Sequence, residues 1–206
     1  KTRKGWFWRR RTRNRRLNPV PGKKPVFQST NGLLKGQSMS ETISGFEGVR
    51  TKVYRDTKGI KTVGVGFNME QKNARKTFEK YVPKSEVLFD DVLSGKQRLT
   101  KKQSLNLFKG TLDDKVKTTK RLFPSYNKYP KAVKTALVNG VFRGEFKSTQ
   151  KTVKYINNGQ WDKVPKEYLD RKDYRNSKPG KNGGTKTRMD FNAKIFREYA
   201  KELKKG

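Results

Sequence analysis

Histidine and cysteine are both missing from this 206-residue chain. Without cysteine there is no disulfide, no thiolate nucleophile and no Cys-based metal site. Without histidine the Ser-His-Asp and Cys-His arrangements are excluded, together with the usual zinc ligands. Acid–base chemistry near neutral pH then falls to carboxylates, lysine or tyrosine. Acidic residues are scarce too: 18 Asp+Glu stand against 52 Lys+Arg, a net charge of +34. No apolar run approaches the roughly 18–20 residues that span a bilayer, so no transmembrane segment is expected, and no secretory signal pattern is legible. Hydrophobic residues make up 31% of the chain. That is low for one compact domain, and implies that part of the chain adds little to a core.

The acids are unevenly placed. The first is Glu41, and residues 1–40 hold twelve Lys or Arg. The opening KTRKGWFWRRRTRNRR shows neither a helical nor a strand period. It runs into a segment with Pro19, Pro21 and Pro25, which favours an extended path. Residues 1–37 therefore read as an extended basic arm or linker, and 38–206 as one domain. Ser38-Met-Ser-Glu41 has capping-box spacing and announces a short helix ending near Glu47-Gly48. Residues 52–66 are rich in β-branched and aromatic types around Thr57-Lys58-Gly59 and read as a hairpin, with Gly64 and Gly66 marking bends. Beyond Met69 the pattern is helical. Thr100-Lys-Lys-Gln103 is a second capping box, and Leu105, Phe108, Leu112 and Val116 follow at helical spacing. Ala132 to Val141 predicts a central apolar helix. Shorter helices are expected around Val153–Ile156 and Trp161–Leu169, then a loop from Arg175 to Gly184. A last helix carries Met189, Ala193, Phe196, Ala200 and Leu203. The expected class is α+β: a small β-hairpin lobe and a mainly helical lobe, preceded by the arm.

Glu47 at a helix end, Asp56 before a hairpin turn and Thr62 on the returning strand can converge on one cleft. Two carboxyl groups suit glycoside hydrolysis. One protonates the leaving oxygen while the other activates water or stabilises positive charge. A threonine hydroxyl can hold that water. The spacing alone also allows a plainer reading, in which Glu47 makes a local cap or ion pair and Asp56 an Asx turn.

The ungapped stretch from Glu47 to Gly66, EGVRTKVYRDTKGIKTVGVG, resembles the signature of the T4-phage-type lysozymes, glycoside hydrolase family 24. That pattern runs Glu-Gly, Tyr-x-Asp, Gly, Thr and Gly-x-Gly. Weaker similarity continues through Ala136-Leu-Val-Asn139, Val141-Phe142, Gln160-Trp161-Asp162, Tyr174 and Arg188, covering about residues 41–203. The resemblance implies a lysozyme-like fold and a muramidase that cuts the β-1,4 bond between N-acetylmuramic acid and N-acetylglucosamine, with no cofactor and no metal. Glu47 would be the general acid, needing a raised pKa from partial burial. Asp56 and Thr62 would position the attacking water, giving inversion. Phe142, Arg143 and Asn139 would contact substrate. Four departures from the pattern stand out. Phe67 occupies the place of a histidine, and Arg143 that of a glutamine. The segment from Lys178 to Gly184 is enlarged. Thr185 falls where an arginine near the cleft is expected, so that contact is either lost or taken over by Lys186 or Arg188.

In the arm, Trp6, Phe7 and Trp8 beside Arg9, Arg10 and Arg11 suit anchoring in a partner protein. Stacking on nucleic acid, settling on an anionic envelope surface and a plain solvated tail are the other readings. The assembled expectation is a virion-associated enzyme acting on the host cell wall or periplasm. Its alternative is an inactive lysozyme scaffold serving as a basic structural or nucleic-acid-binding virion protein.

Overall fold

The computed structural model describes residues 28–56, 59–177 and 184–205. The opening basic stretch, Thr57 and Lys58 of the hairpin turn, and residues 178–183 of the enlarged loop lie outside the described residues.

Both capping boxes form. Ser38 Oγ accepts from the Glu41 N–H at 3.1 Å while Glu41 accepts from the Ser38 N–H at 2.7 Å, starting helix α2 (Met39–Glu47). Thr100 and Gln103 repeat the exchange at 3.1 and 2.7 Å, starting α5 (Lys101–Leu122). Each box satisfies two of the N–H groups that a helix start leaves without partners.

The expected hairpin is β1 (Arg50–Arg55) and β2 (Lys61–Gly64), antiparallel, with an irregularity between Arg50 and Tyr54. A third strand, β3 (Phe67–Asn68), extends it to a sheet of order β1-β2-β3. Gly64 and Gly66 make this possible: both take positive φ, 67° and 73°, a region open to glycine at little cost. The chain therefore folds back within two residues of β2.

The remaining elements are helical: α3 (Ala74–Tyr81), α4 (Phe89–Ser94), α6 (Lys131–Phe142), α7 (Lys151–Asn157), α8 (Val164–Leu169), α9 (Lys172–Arg175) and α10 (Thr185–Leu203). With the small sheet this gives the α+β, lysozyme-like fold expected. Two apolar clusters organise it. The smaller joins Val63, Phe67 and Met69 to Phe78, Phe89 and Leu99. The larger gathers α6, α8 and α10 around Trp161, Tyr168 and Phe196. Helix α5 serves both, because Leu107 belongs to the smaller cluster and Phe108 to the larger. Adjacent residues on a helix point about 100° apart, so α5 presents one flank to each lobe.

The boundary drawn at residue 37 needs correction. Residues Gln28–Gly32 form a short helix, α1, that packs on α6 and α10. Leu34 is buried in the larger cluster. The Thr30 N–H donates to Glu202 at 2.7 Å, and Asn31 Oδ1 accepts from the Ala132 N–H at 3.0 Å. The second bond has a local cause. Pro130 stands at the N-cap of α6 and makes no side-chain cap there, so an N–H of the first turn is satisfied by a residue 101 positions away. Proline content and the lack of acids hid this strap, because neither reports burial.

Removing residues 1–37 is therefore expected to destabilise the domain relative to removing 1–27 alone. The loss is about 2–4 kcal/mol, from one buried leucine and two long-range hydrogen bonds. Urea denaturation of the two truncations checks this. Equal stability of both would return the boundary to residue 37.

Candidate active site

Glu47 is the last residue of α2. Gly48 stops the helix there with φ 73° and ψ 157°, a combination essentially confined to glycine. Its N–H closes the turn on the Ser44 carbonyl at 2.9 Å. The chain passes directly from α2 into β1, so Glu47 stands where helical lobe meets sheet.

The partner of Glu47 comes from the other end of the chain. Arg188 of α10 donates to Glu47 Oε1, its side chain only 3% exposed against 17% for Glu47. The same guanidinium lies 5.8 Å from the Phe46 ring centroid. Of the two basic residues that the sequence singled out in this helix, Arg188 is the one that reaches Glu47. Lys186 is engaged elsewhere, donating to the Tyr174 hydroxyl at 2.7 Å and lying 3.8 Å from Asp190.

Asp56 and Thr62 are tied to each other through one residue, Ile60. The Ile60 N–H donates to Asp56 Oδ1 at 3.0 Å. The Ile60 carbonyl accepts both the Asp56 N–H at 3.0 Å and the Thr62 hydroxyl at 3.1 Å. This side-chain bond reaches four residues on, across the neck of the hairpin, and fixes Asp56 there. Thr62 is buried on the central strand, paired with Tyr54 of β1 and Asn68 of β3.

The charges of both carboxyl groups act on Tyr54. Burial is the largest influence on its phenol and pushes its pKa up. The nearby Arg50 cation opposes this, and the charges of Glu47 and Asp56 each push it further up. Tyr54 thus lies within electrostatic reach of both carboxylates and stays a neutral hydrogen-bonding group. The Arg50 guanidinium covers its ring at 4.3 Å. Sequence reasoning placed Tyr54 in the motif without assigning it a task. Its register opposite Thr62 was the signal available.

The three expected substrate contacts separate. Phe142 is half-buried, edge-on to Phe108 at 5.7 Å, with its ring against Gly66, where a Cβ would lie 3.7 Å away. It therefore sits where α5, α6 and the β2–β3 bend meet. Arg143 is exposed just beyond α6 and donates to Thr185 Oγ1 at 2.8 Å. Asn139 does not belong with them. It is wholly buried and donates to Asn192 at 3.0 Å within the core. Helix α6 is buried on nearly every side, so a polar residue on it can serve the interior, and Asn139 is withdrawn as a sugar contact.

Among the described residues, no cluster of three or more acidic side chains could hold a metal ion, and no helix is long and apolar enough to cross a membrane. The arrangement offers two carboxyl groups, a tyrosine within reach of both and a hydroxyl beside one of them. The family model described as phage lysozyme matches residues 44–188, a span that contains Glu47, Asp56, Thr62 and Arg188. A comparison with curated proteins returned no match.

Replacing Arg188 by Gln should cost stability toward the lower end of about 3–5 kcal/mol, because it breaks a nearly buried ion pair from one side. Arg188→Lys should recover only part of the loss, since a lysine lacks the planar fork. Chemical denaturation at neutral pH measures both. A Gln variant as stable as the parent would mean that the pair contributes nothing to folding.

Proposed function

This chain belongs to the phage lysozyme family, and from that premise we propose that it is a muramidase cleaving the β-1,4 bond between N-acetylmuramic acid and N-acetylglucosamine, with Glu47 as general acid. The observation that carries the reading is the family match over residues 44–188, a span that holds Glu47 at the end of α2 and Asp56 and Thr62 in the hairpin. Family membership supports peptidoglycan hydrolysis as the activity and the host cell wall as the place of action.

The chemistry follows from what each group can do. A sugar alkoxide leaves poorly, so the glycosidic oxygen must be protonated as the bond breaks. Glu47, 17% exposed at a helix end, reaches solvent-borne substrate while Arg188 fixes its direction. Asp56 and Thr62 take the water on the opposite face. An ionised carboxylate offers about four lone-pair sites, so the Ile60 N–H leaves capacity for a water. The Thr62 hydroxyl gives its proton to the Ile60 carbonyl and keeps lone pairs to accept one from that water. Attack from that face inverts the anomeric centre and needs roughly 6.5–9.5 Å between the carboxyl groups. Phe142 and Arg143, at the meeting of the lobes, are the proposed sugar contacts.

The arm fits an attachment role beside this one. Its Trp6-Phe7-Trp8 cluster and arginines suit docking to a protein partner, consistent with a virion component that opens the wall on entry. Nucleic acid or an anionic envelope surface would engage the same charges.

Glu47→Gln is expected to lower hydrolysis of purified peptidoglycan by about 10²–10⁴-fold; it also removes the charge that the nearly buried Arg188 pairs with, so the melting temperature should fall while the protein remains folded and binds substrate. No histidine can substitute, and lysines with an ordinary pKa near 10.4 are poor donors. Asp56→Asn should also be severe, though less so, because Thr62 still holds the water. Release of reducing ends gives the rates, and the first-formed product anomer read by NMR gives the stereochemistry. Substantial activity in a folded Glu47→Gln protein would move the acid role to another carboxylate. A retained anomer would remove the inverting assignment. Inactivity of the parent itself would favour a basic scaffold without catalysis.

A further inference from the structure

Helices α2 and α5 pack against each other, yet they leave space between them. The side of α2 toward that space carries Ser40, Ser44 and Gly45, which supply little side-chain volume. A Cβ added at Gly45 would meet nothing within 4 Å. The result is an open groove of about 840 Å³, inside the roughly 300–1,000 Å³ range of ligand sites. Its floor is apolar. Val49 and Leu105 pack against the larger core and remain partly exposed toward the groove.

The rim is cationic. Lys102, Leu105 and Lys109 are spaced three and four apart along α5 and so share a face. Lys101 stands one turn before Leu105 and lines the groove as well. All three lysines are exposed, and none makes an ion pair among the described residues. Glu41, the rim's acid, already accepts the Ser38 N–H in the capping box. Glu47, Asp56 and Thr62 do not line the groove, so the chemistry proposed above makes no use of it.

An apolar trough edged by unpaired cations discriminates among occupants. The opening segment of this chain has the wrong charge, since residues 1–40 hold twelve Lys or Arg and no acid. A second copy, at net +34, has it too. Nucleic acid would meet the lysines through phosphates and leave the apolar floor unused. A membrane is engaged by an apolar face that projects into it, not by a recess between helices. A protein segment with large apolar side chains flanked by Asp or Glu satisfies both features at once, in the manner of a helix laid in a groove. We propose that the α2–α5 groove is a docking site for an acidic amphipathic segment of a partner protein.

The test is selection of displayed random peptides against the full chain. Enriched peptides are expected to carry apolar residues at spacings of three and four, interrupted by Asp or Glu. A synthetic copy of the tightest should protect the amides of residues 40–45 and 101–109 from hydrogen exchange. Gly45→Leu fills the groove without displacing a neighbour and removes a glycine from a helix, so its melting temperature should not fall. It should weaken the peptide about ten- to a hundredfold, the effect of excluding one leucine-sized apolar contact. Joint replacement Lys102→Glu and Lys109→Glu, at exposed positions, should weaken it independently of the floor. A scrambled peptide of the same composition should bind far less well. Equal binding of the scramble means charge attraction alone and overturns the proposal. No enrichment of such peptides, protection elsewhere, or unchanged affinity in both variants also overturns it. Phosphatidylglycerol vesicles and a DNA duplex complete the comparison. If Gly45→Leu weakens either of these and not the peptide, the groove serves a lipid or nucleic acid and the proposal fails. None of these measurements reads turnover, so the outcome is independent of the Glu47→Gln assay.

Discussion

The ion pair between Arg188 and Glu47 joins residues 141 positions apart, and much of the architecture serves to bring them together. Glu47 reaches it because Gly48 can end α2 abruptly, and Arg188 because α10 lies against α6 and α8. An arginine 3% exposed has lost most of its hydration, and such a charge is tolerated only when paired and hydrogen-bonded. The pair therefore constrains the fold as well as the chemistry. Any arrangement that separates α2 from α10 strands a desolvated cation, which penalises alternative packings of the two ends.

Helix α5 imposes the complementary constraint, from the side of the sheet. Its Leu107 and Phe108 feed different cores, so the two lobes share a wall. Close approach is built into that wall. At Gly110 an added Cβ would lie 2.1 Å from the Tyr81 ring of α3, and at Gly140 of α6 it would lie 2.3 Å from the Phe146 ring. Phe146 is itself held edge-on to Phe123 and stacked on Tyr168. Backbone and ring meet directly at both places. This fixes how far α3 stands from α5, and ties the chain following α6 to Tyr168 of α8.

Local grammar was the most legible part of the sequence. Both capping boxes, the strand pair and the central helix depend on residues within a few positions of each other, and periodicity reports those directly. Three features were not legible, each for a physical reason. The strap of α1 and Leu34 hides in a stretch whose prolines and lack of acids signal an arm, because composition does not report which leucine is buried. Asn139 carried a polar side chain in a conspicuous motif, and only the surroundings of α6 reveal that it faces inward. The hydrogen bond from buried Tyr168 to buried Glu145 joins elements far apart in sequence, and no spacing rule joins a glutamate after α6 to a tyrosine on α8. Arg188 lay between these extremes. Its place in the last helix was legible as a candidate contact for the cleft, but the choice over Lys186 required knowing which face of α10 turns inward.

The strap also fixes where the chain's opening segment leaves the folded body. Thr30 is tied to Glu202, near the C-terminal end of α10, while Arg188 lies near the start of that helix. Fourteen residues at 1.5 Å each separate them by about 21 Å along the axis. The described chain thus begins at the opposite end of α10 from Glu47. A tether pulled from that point loads the hydrogen bonds at the first turn of α6 and the last turn of α10 before it reaches the cleft. A load entering at residue 28 would thus be borne at the end of α10 away from Glu47, much as a tool is gripped away from its cutting edge.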